Sequence, residues 1–175
     1  LLMAYGATEP QAGSDLAAMS TKAVPVQENG HVSGYKITGR KLWTSNSPHA
    51  DYCIVFAVTD AAAAAAHQGG ISAFLVPMNS PGIQRTRFKD VGSKIIGRGS
   101  VFFDDVKIPA SHRLGDEGKG FTQVMVGFDF SRILIALQCL AAAQASIDEA
   151  YEYAKERQAF GAPLAQYQGV SFPLV

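Results

Sequence analysis

A chain of 175 residues that is 47% hydrophobic is long enough to bury a core, as one domain or two small ones. Its 15 basic and 15 acidic side chains are scattered, which leaves no basic stripe for nucleic acid or an anionic membrane surface. No apolar run reaches the ~18 residues of a spanning helix, and no basic segment opens the chain, so neither membrane insertion nor a signal peptide is expected.

The chain opens on LLMAYG and closes on SFPLV without a turn or polar tail, and so reads as an excerpt. Up to about residue 112 the pattern is that of strands. HVSGYKITGRKLW (31–43) alternates apolar and polar residues after Glu28-Asn29-Gly30, a hairpin signal. Further strands are expected in YCIVFAV (52–58), ISAFLVPM (71–78) and SVFFDDVKI (100–108), each bounded by Gly, Pro, Asn or Asp. Ala61–Ala66 and the following HQGG are expected as a loop, because so short an alanine helix has little stability alone. Strands at this spacing predict an antiparallel β-barrel or sandwich.

From Gly118 the period changes. Ile133, Leu137, Leu140, Gln144, Ile147, Tyr151 and Ala154 recur at steps of four and three, which places them on one face of a long helix over 128–157. Its first half, ILIALQCLAAA, is apolar almost all round and calls for other helices on several sides. GAP (161–163) ends this helix, and Pro163 stands at the first turn of a possible second one. The fold class expected is α+β: the β domain, 1–112, followed by 113–175 as the start of an incomplete up-down helical bundle.

Each candidate motif has a plain structural reading beside a functional one. YGATEPQAGSD (5–15) is either a strand end with a turn, or an edge that delivers main-chain amides, Thr8 and Ser14 to a polar ligand, with Gly13 allowing close approach. KLWTSNSPHAD (41–51) holds the single tryptophan, Trp43, as a core or rim residue or as a flat surface for a planar cofactor beside Thr44 or Ser45. GFDFSR (127–132) opens the helix, with Asp129 and Ser131 as caps or with Asp129 and Arg132 as ligand contacts. KERQAFGAPLAQYQG (155–169) sets Arg157, Phe160 and Gln168 around a turn, and a C-cap at Gly161 explains all of it except Phe160.

Cys53 and Cys139 lie in apolar surroundings with no CxxC or Cys/His spacing, and are expected as buried free thiols, as in a reducing compartment. His31, His49, His67 and His112 have no ligand-like spacing, so no metal site is read. The glycine-rich GRGS and DEGKGF lack a Walker or dinucleotide fingerprint.

Taken together and in order, four segments resemble the flavin-dependent acyl-CoA dehydrogenases. TEPQAGSD is similar to the family's TEP-x-AGSD and GRKLWTSN to its G-x-K-x-W-I-T-N. VFFDDVKIPASHRLGDEGKGF resembles its F-x-DV-x-VP passage with the following LG and GF. ERQAFGAPLAQYQGVSF resembles its ER-x-x-FG-x-x-L run. The resemblance implies an N-terminal helical domain absent from this sequence, a middle β-barrel and a C-terminal helical bundle. By similarity, Tyr5, Ala7, Thr8 and Ser14 line FAD, and Ser14 also reaches the CoA arm. Trp43, Thr44 and Ser45 contact the isoalloxazine, with Ser45 where the family usually has Thr. Phe128, Asp129 and Arg132 hold the substrate's CoA moiety. Arg157, Phe160, Tyr167 and Gln168 hold the FAD of a neighbouring protomer. Two departures are visible: AAAAAAHQGG lacks the small polar residues that often meet CoA there, and Gln11 replaces a common Gly.

The implied reaction is α,β-dehydrogenation of an acyl-CoA, with α-proton abstraction by a carboxylate expected downstream of Val175 and β-hydride transfer to flavin N5. The resemblance further implies electron-transfer flavoprotein as acceptor, and a homotetramer or homodimer. It places the protein in the bacterial cytoplasm or the mitochondrial matrix. It gives the 175 residues alone no activity. An acyl-CoA oxidase or flavin monooxygenase of the same fold is the rival reading, and a non-enzymatic β-barrel binding module a more remote one.

Overall fold

The computed structural model describes residues 1–92 and 94–174. They divide into two compact units, Leu1–Met125 and Val126–Val175.

The first unit is a sheet of β1 (Met3–Gly6), β2 (Lys22–Glu28), β3 (His31–Ser45), β4 (Tyr52–Val58), β5 (Ile71–Pro77), β6 (Ile83–Arg85), β7 (Arg98–Pro109) and β8 (Arg113–Leu114). Its order is β6-β7-β3-β2-β4-β5-β8, with β1 added on β4. The expected β layer is present, but it is mixed rather than wholly antiparallel, because β1 and β2 both run parallel to β4. The β2–β3 hairpin turns at Asn29 and Gly30, with φ of 50° and 80°. Both are left-handed values that Asn and Gly tolerate, and they suit the twist of a two-residue hairpin.

The core of the sheet comes from alternate positions. Tyr35, Ile37, Cys53, Val55, Phe74, Val76, Val101 and Val106 are each at most 1% exposed, and burial of each large apolar side chain stabilises by roughly 1.5–3 kcal/mol. The Tyr35 hydroxyl donates to Glu117 at 2.9 Å and accepts from Arg113 at 2.9 Å, so its polar tip is satisfied where the ring is buried.

Ala61–Ala65 is a short helix, α1, and not the loop expected from its length. The Asp60 carboxylate accepts from the Ala62 and Ala63 amides at 3.0 and 3.1 Å and so satisfies the donors that an isolated turn would leave bare.

The long helix α2 runs over Gly120–Glu156, and the boundary between the units falls within it. It starts eight residues before 128, so Asp129 and Ser131 lie in its third turn and cap nothing. The Ser131 hydroxyl donates instead to the Phe128 carbonyl at 3.0 Å. By length and composition α2 is apolar enough to cross a membrane, with a mean hydropathy of 1.6 over 18 residues. No uninterrupted apolar run reaches that length, as expected, since isolated polar residues such as Gln138 break the run without lowering its average.

Within the second unit α2 is followed by β9 (Gln158–Ala159), β10 (Ala162–Pro163) and α3 (Gln168–Ser171). The 161–163 segment therefore belongs to a tight hairpin and not to a C-cap. Pro163 does not start an α-helix but precedes a single 3-10 turn, Leu164–Gln166. Cys53 is buried as expected, whereas Cys139 is exposed on α2.

Candidate functional site

The sheet unit brings two of the sequence motifs to one edge. β1 lies on β4 with Tyr5 opposite Ile54, and the Tyr5 ring stands 5.1 Å from that of Phe56. Beyond β1, Glu9 and Ala12 exchange main-chain hydrogen bonds of 2.9 and 3.1 Å around Pro10-Gln11. Gln11 is not among the residues with positive φ, so the Gly-to-Gln departure costs no backbone strain. Its amide donates to Glu9 at 2.7 Å and to Ser20 at 2.9 Å.

The far end of β3 meets this loop. The Leu42 amide donates to the Thr8 carbonyl at 2.8 Å, and Asn46 donates to the Met3 carbonyl at 3.3 Å. Between Lys41 and Thr44 the pairing of β3 with β7 shifts register. The alternation that buries Tyr35, Ile37 and Lys41 would bury position 43 next. The extra bulge residue passes the inward position to Thr44 instead and leaves Trp43 55% exposed at φ 57°. The indole rests edge-on against Phe88 at 4.7 Å, and Phe88 with Arg87 and Gly97 lines an open groove of about 580 Å³.

On this edge Tyr5, Trp43 and Ser45 are exposed and Thr8 is half-buried, and Ser14 farther along the loop is exposed too. Thr44 and Ala7 do not present side chains there. Both are buried, and the Thr44 hydroxyl has no hydrogen-bond partner among the described residues, so a contact from either to a ligand on this edge uses the main chain. A Cβ placed on Gly13 meets nothing within 4 Å, so close approach to this chain does not explain that glycine.

Glu9 and Lys41, which the motif reading left without a role, join the two motifs. Lys41 Nζ donates to Glu9 Oε1 at 2.7 Å and to the Ala7 carbonyl at 3.3 Å, and the two side chains are 0% and 1% exposed. Glu9 also accepts from the Ser20 amide and hydroxyl at 2.7 and 2.9 Å and from the Thr21 amide at 3.1 Å. Burial by itself would raise the Glu9 carboxyl; the Lys41 charge and the hydrogen bonds from Lys41, Thr21 and Ser20 outweigh it and hold the group at about 2. Burial pushes the Lys41 ammonium down, opposed by Glu9. The donors converging on Glu9 settle the pair in its charged form. A sequence signal existed: Lys41 shares the inward register of Tyr35 and Ile37, and a lysine there requires a carboxylate partner.

In the second unit, Arg132 donates to Asp129 at 2.9 Å across one helical turn, both side chains being 72% exposed. Phe128 is half-buried. The hairpin of β9 and β10 pairs Ala159 with Ala162, and its two turn residues, Phe160 and Gly161, have φ of 50° and 81°. Phenylalanine rarely takes that conformation, and its side chain is 98% exposed. Tyr167 braces the hairpin, with its hydroxyl donating to the Ala159 carbonyl at 2.7 Å and its ring 6.3 Å from Phe160. The Arg157 carbonyl accepts from the Leu164 amide at 2.9 Å, and the Arg157 and Gln168 side chains are exposed.

The donor set on the sheet edge, a flat indole with hydroxyls and main-chain amides around it, suits a planar ring rimmed by heteroatoms. Among the described residues no group of three or more His, Cys, Asp or Glu could hold a metal ion.

Residues 4–106 match the family described as acyl-CoA dehydrogenase, middle domain, and residues 118–175 match acyl-CoA dehydrogenase, C-terminal domain. The chain is 41% identical to the mitochondrial short-chain specific acyl-CoA dehydrogenase of Rattus norvegicus, covering 97% of the chain and 40% of that protein. It is 36% identical to the cyclohex-1-ene-1-carbonyl-CoA dehydrogenase of Syntrophus aciditrophicus, over 98% of the chain and 40% of that protein. Among solved structures, butyryl-CoA dehydrogenase from Megasphaera elsdenii superposes with a TM-score of 0.87 at 38% identity, over 98% of this chain and 43% of that one. The chain spans about 40% of the length of the curated relatives it matches.

Proposed function

Because the chain belongs to the acyl-CoA dehydrogenase family, we propose that the protein containing it oxidises an acyl-CoA thioester at its α,β bond, with FAD on the edge formed by Tyr5–Ser14 and Trp43–Ser45. The observation that carries this reading is the bulge in β3, which turns the single tryptophan outward beside the exposed Ser45 hydroxyl. FAD, when bound, accepts the hydride that leaves the β-carbon.

The chain's own residues bind and orient. Trp43 offers an aromatic face, Ser45 and Thr8 offer hydroxyls to ring heteroatoms, and the main chains of Ala7 and Thr44 supply further polar contacts. Ser14, exposed in the loop after β1, is assigned to FAD and the CoA arm. Phe128, Asp129 and Arg132 form the CoA contact: Arg132, already drawn toward Asp129, presents a cation suited to the polar CoA chain and its phosphates. Ser131 is not the base, since its hydroxyl is spent on the Phe128 carbonyl and a serine without an adjacent base is a poor proton acceptor. The base is assigned to a carboxylate downstream of Val175.

The Arg157–Gln168 segment serves FAD in a second protomer. Its support is the exposed Phe160 at the tip of a braced hairpin, with the Arg157 side chain exposed as well. The acceptor of the electrons is an electron-transfer flavoprotein.

The whole protein should purify with flavin absorbance, bleach on anaerobic mixing with a short-chain or alicyclic acyl-CoA, and reoxidise slowly in air. Protein that stays colourless on addition of FAD defeats the proposal, and rapid reoxidation by oxygen converts it to an oxidase. Arg157→Ala in the whole protein should lower FAD retention with the thermal transition of the sheet unchanged. Stoichiometric FAD in that variant removes the second-protomer assignment.

A further inference from the structure

We propose that the buried Glu9–Lys41 ion pair is a positioning device that fixes the register of the β3 bulge and so keeps Trp43 and Ser45 on the outer face of the edge. The inference rests on the flavin reading of that edge for its functional consequence.

The pair occupies a strategic place in the chain. Lys41 is the last inward residue before the register shift, and Glu9 follows Thr8, whose carbonyl accepts from the Leu42 amide at 2.8 Å. The ion pair and this main-chain bond therefore clamp both sides of one peptide segment. Trp43 in the left-handed region carries strain that the surroundings must impose. A slip of β3 by one residue would relieve it and would carry Trp43 to the inward side and Thr44 outward. The ion pair opposes that slip, because moving Lys41 out of register would strand the Glu9 carboxylate at 1% exposure without its cation.

The pair is more than a core filler on geometric grounds. The Glu9 carboxylate receives donors from Gln11, Ser20, Thr21 and Lys41, all within 3.3 Å. That density fixes the loop after β1, which carries Thr8 at one end and leads to Ser14 at the other. An apolar pair of the same volume would fill the space but lack the directional bonds from Lys41 to Glu9 and to the Ala7 carbonyl.

The test uses the whole protein, labelled with 5-fluorotryptophan, and the Trp43 resonance is identified by its loss in Trp43→Phe. In the double variant Glu9→Gln/Lys41→Met both charges are removed together, so no unpaired charge remains to unfold the sheet. The expected result is a cooperative thermal transition with a shifted or broadened Trp43 resonance in the FAD-free protein, and at least tenfold weaker FAD binding by fluorescence titration. An unchanged resonance with unchanged FAD affinity overturns the proposal. A moved resonance with unchanged FAD affinity upholds the positioning role and counts against the flavin reading of the edge. If the double variant does not fold, Gln11→Ala/Ser20→Ala decides, since it removes two surface donors from Glu9 and keeps the ion pair. A displaced Trp43 resonance with about twofold to fivefold weaker FAD binding supports the proposal, and no change in either overturns it.

Discussion

The two units treat their apolar residues in opposite ways. In Leu1–Met125 the large side chains of Tyr35, Ile37, Phe74 and Val101 are buried within the unit's own sheet, and the buried Lys41 has its carboxylate. In Val126–Val175 the residues with the strongest helical periodicity, Ile133, Leu137, Leu140 and Ile147, are between 47% and 66% exposed, and only Ala154 of that stripe is buried. The inward side chains of the sheet pack on one another because the strands that carry them all lie in that unit. A single helix cannot cover its own surface, so an all-round apolar helix finishes only within a bundle. Composition alone therefore does not make a unit self-sufficient. What matters is whether the partner surfaces lie in the same stretch of chain.

Paired truncations break the comparison hardest. Phe74→Ala should cost the sheet about 3–5 kcal/mol, as for other buried aromatics, read as a lowered denaturation midpoint. Leu137→Ala in the 175-residue chain should change stability by less than about 0.5 kcal/mol, the range of surface substitutions. In the whole protein the same Leu137→Ala should cost about 2–5 kcal/mol if a helical bundle covers α2. Equal, small effects in both contexts would mean that α2 stays bare.

Acid sharpens the comparison through Glu9. Its carboxyl is held at about 2 against an ordinary 4.5. A depressed folded value gives stability that is present above the ordinary value and is lost as pH falls from about 4.5 through 2. Chemical denaturation of the wild type should weaken across that window, and the Glu9→Gln/Lys41→Met variant should lose this component of the pH dependence. A wild-type profile flat from pH 5 to 2 would show that the pair is not charged in the fold.

Thiol chemistry separates the units next. Burial pushes the Cys53 thiol up to about 12, whereas Cys139 is exposed. In the 175-residue chain at pH 8 an alkylating reagent should modify Cys139 and spare Cys53 until the sheet unfolds. Equal labelling of both under native conditions would show the sheet to be open.

The smallest effect belongs to the Asp129–Arg132 pair. With both side chains 72% exposed, Asp129→Asn should change stability by no more than about 1 kcal/mol, while the proposed CoA contact predicts a raised KM for an acyl-CoA in the whole protein. Loss of proton exchange with CoA affinity intact would instead place the base on this helix.

Much of this molecule was legible in the order of residues. Alternation located the central strands, Asn29-Gly30 located the hairpin, and the helical stripe located α2, because local periodicity and turn chemistry act over a few residues. Four ordered motifs carried the family resemblance, and the family assignment agrees with it. Other features depend on contacts between distant segments. The Glu9–Lys41 pair spans 32 positions, and only pairing with β7 decides where β3 bulges. Trp43 faces outward for that reason, against the alternation of its own strand. The Phe160–Gly161 turn likewise needed β9 and β10 to pair before the segment could be told from a helix cap. The sequence by itself determined which residues favour strand, turn or helix and which family they belong to. Only the tertiary structure decided register, and register decides which side of an edge a side chain occupies, because one residue of slip exchanges the two faces of a strand.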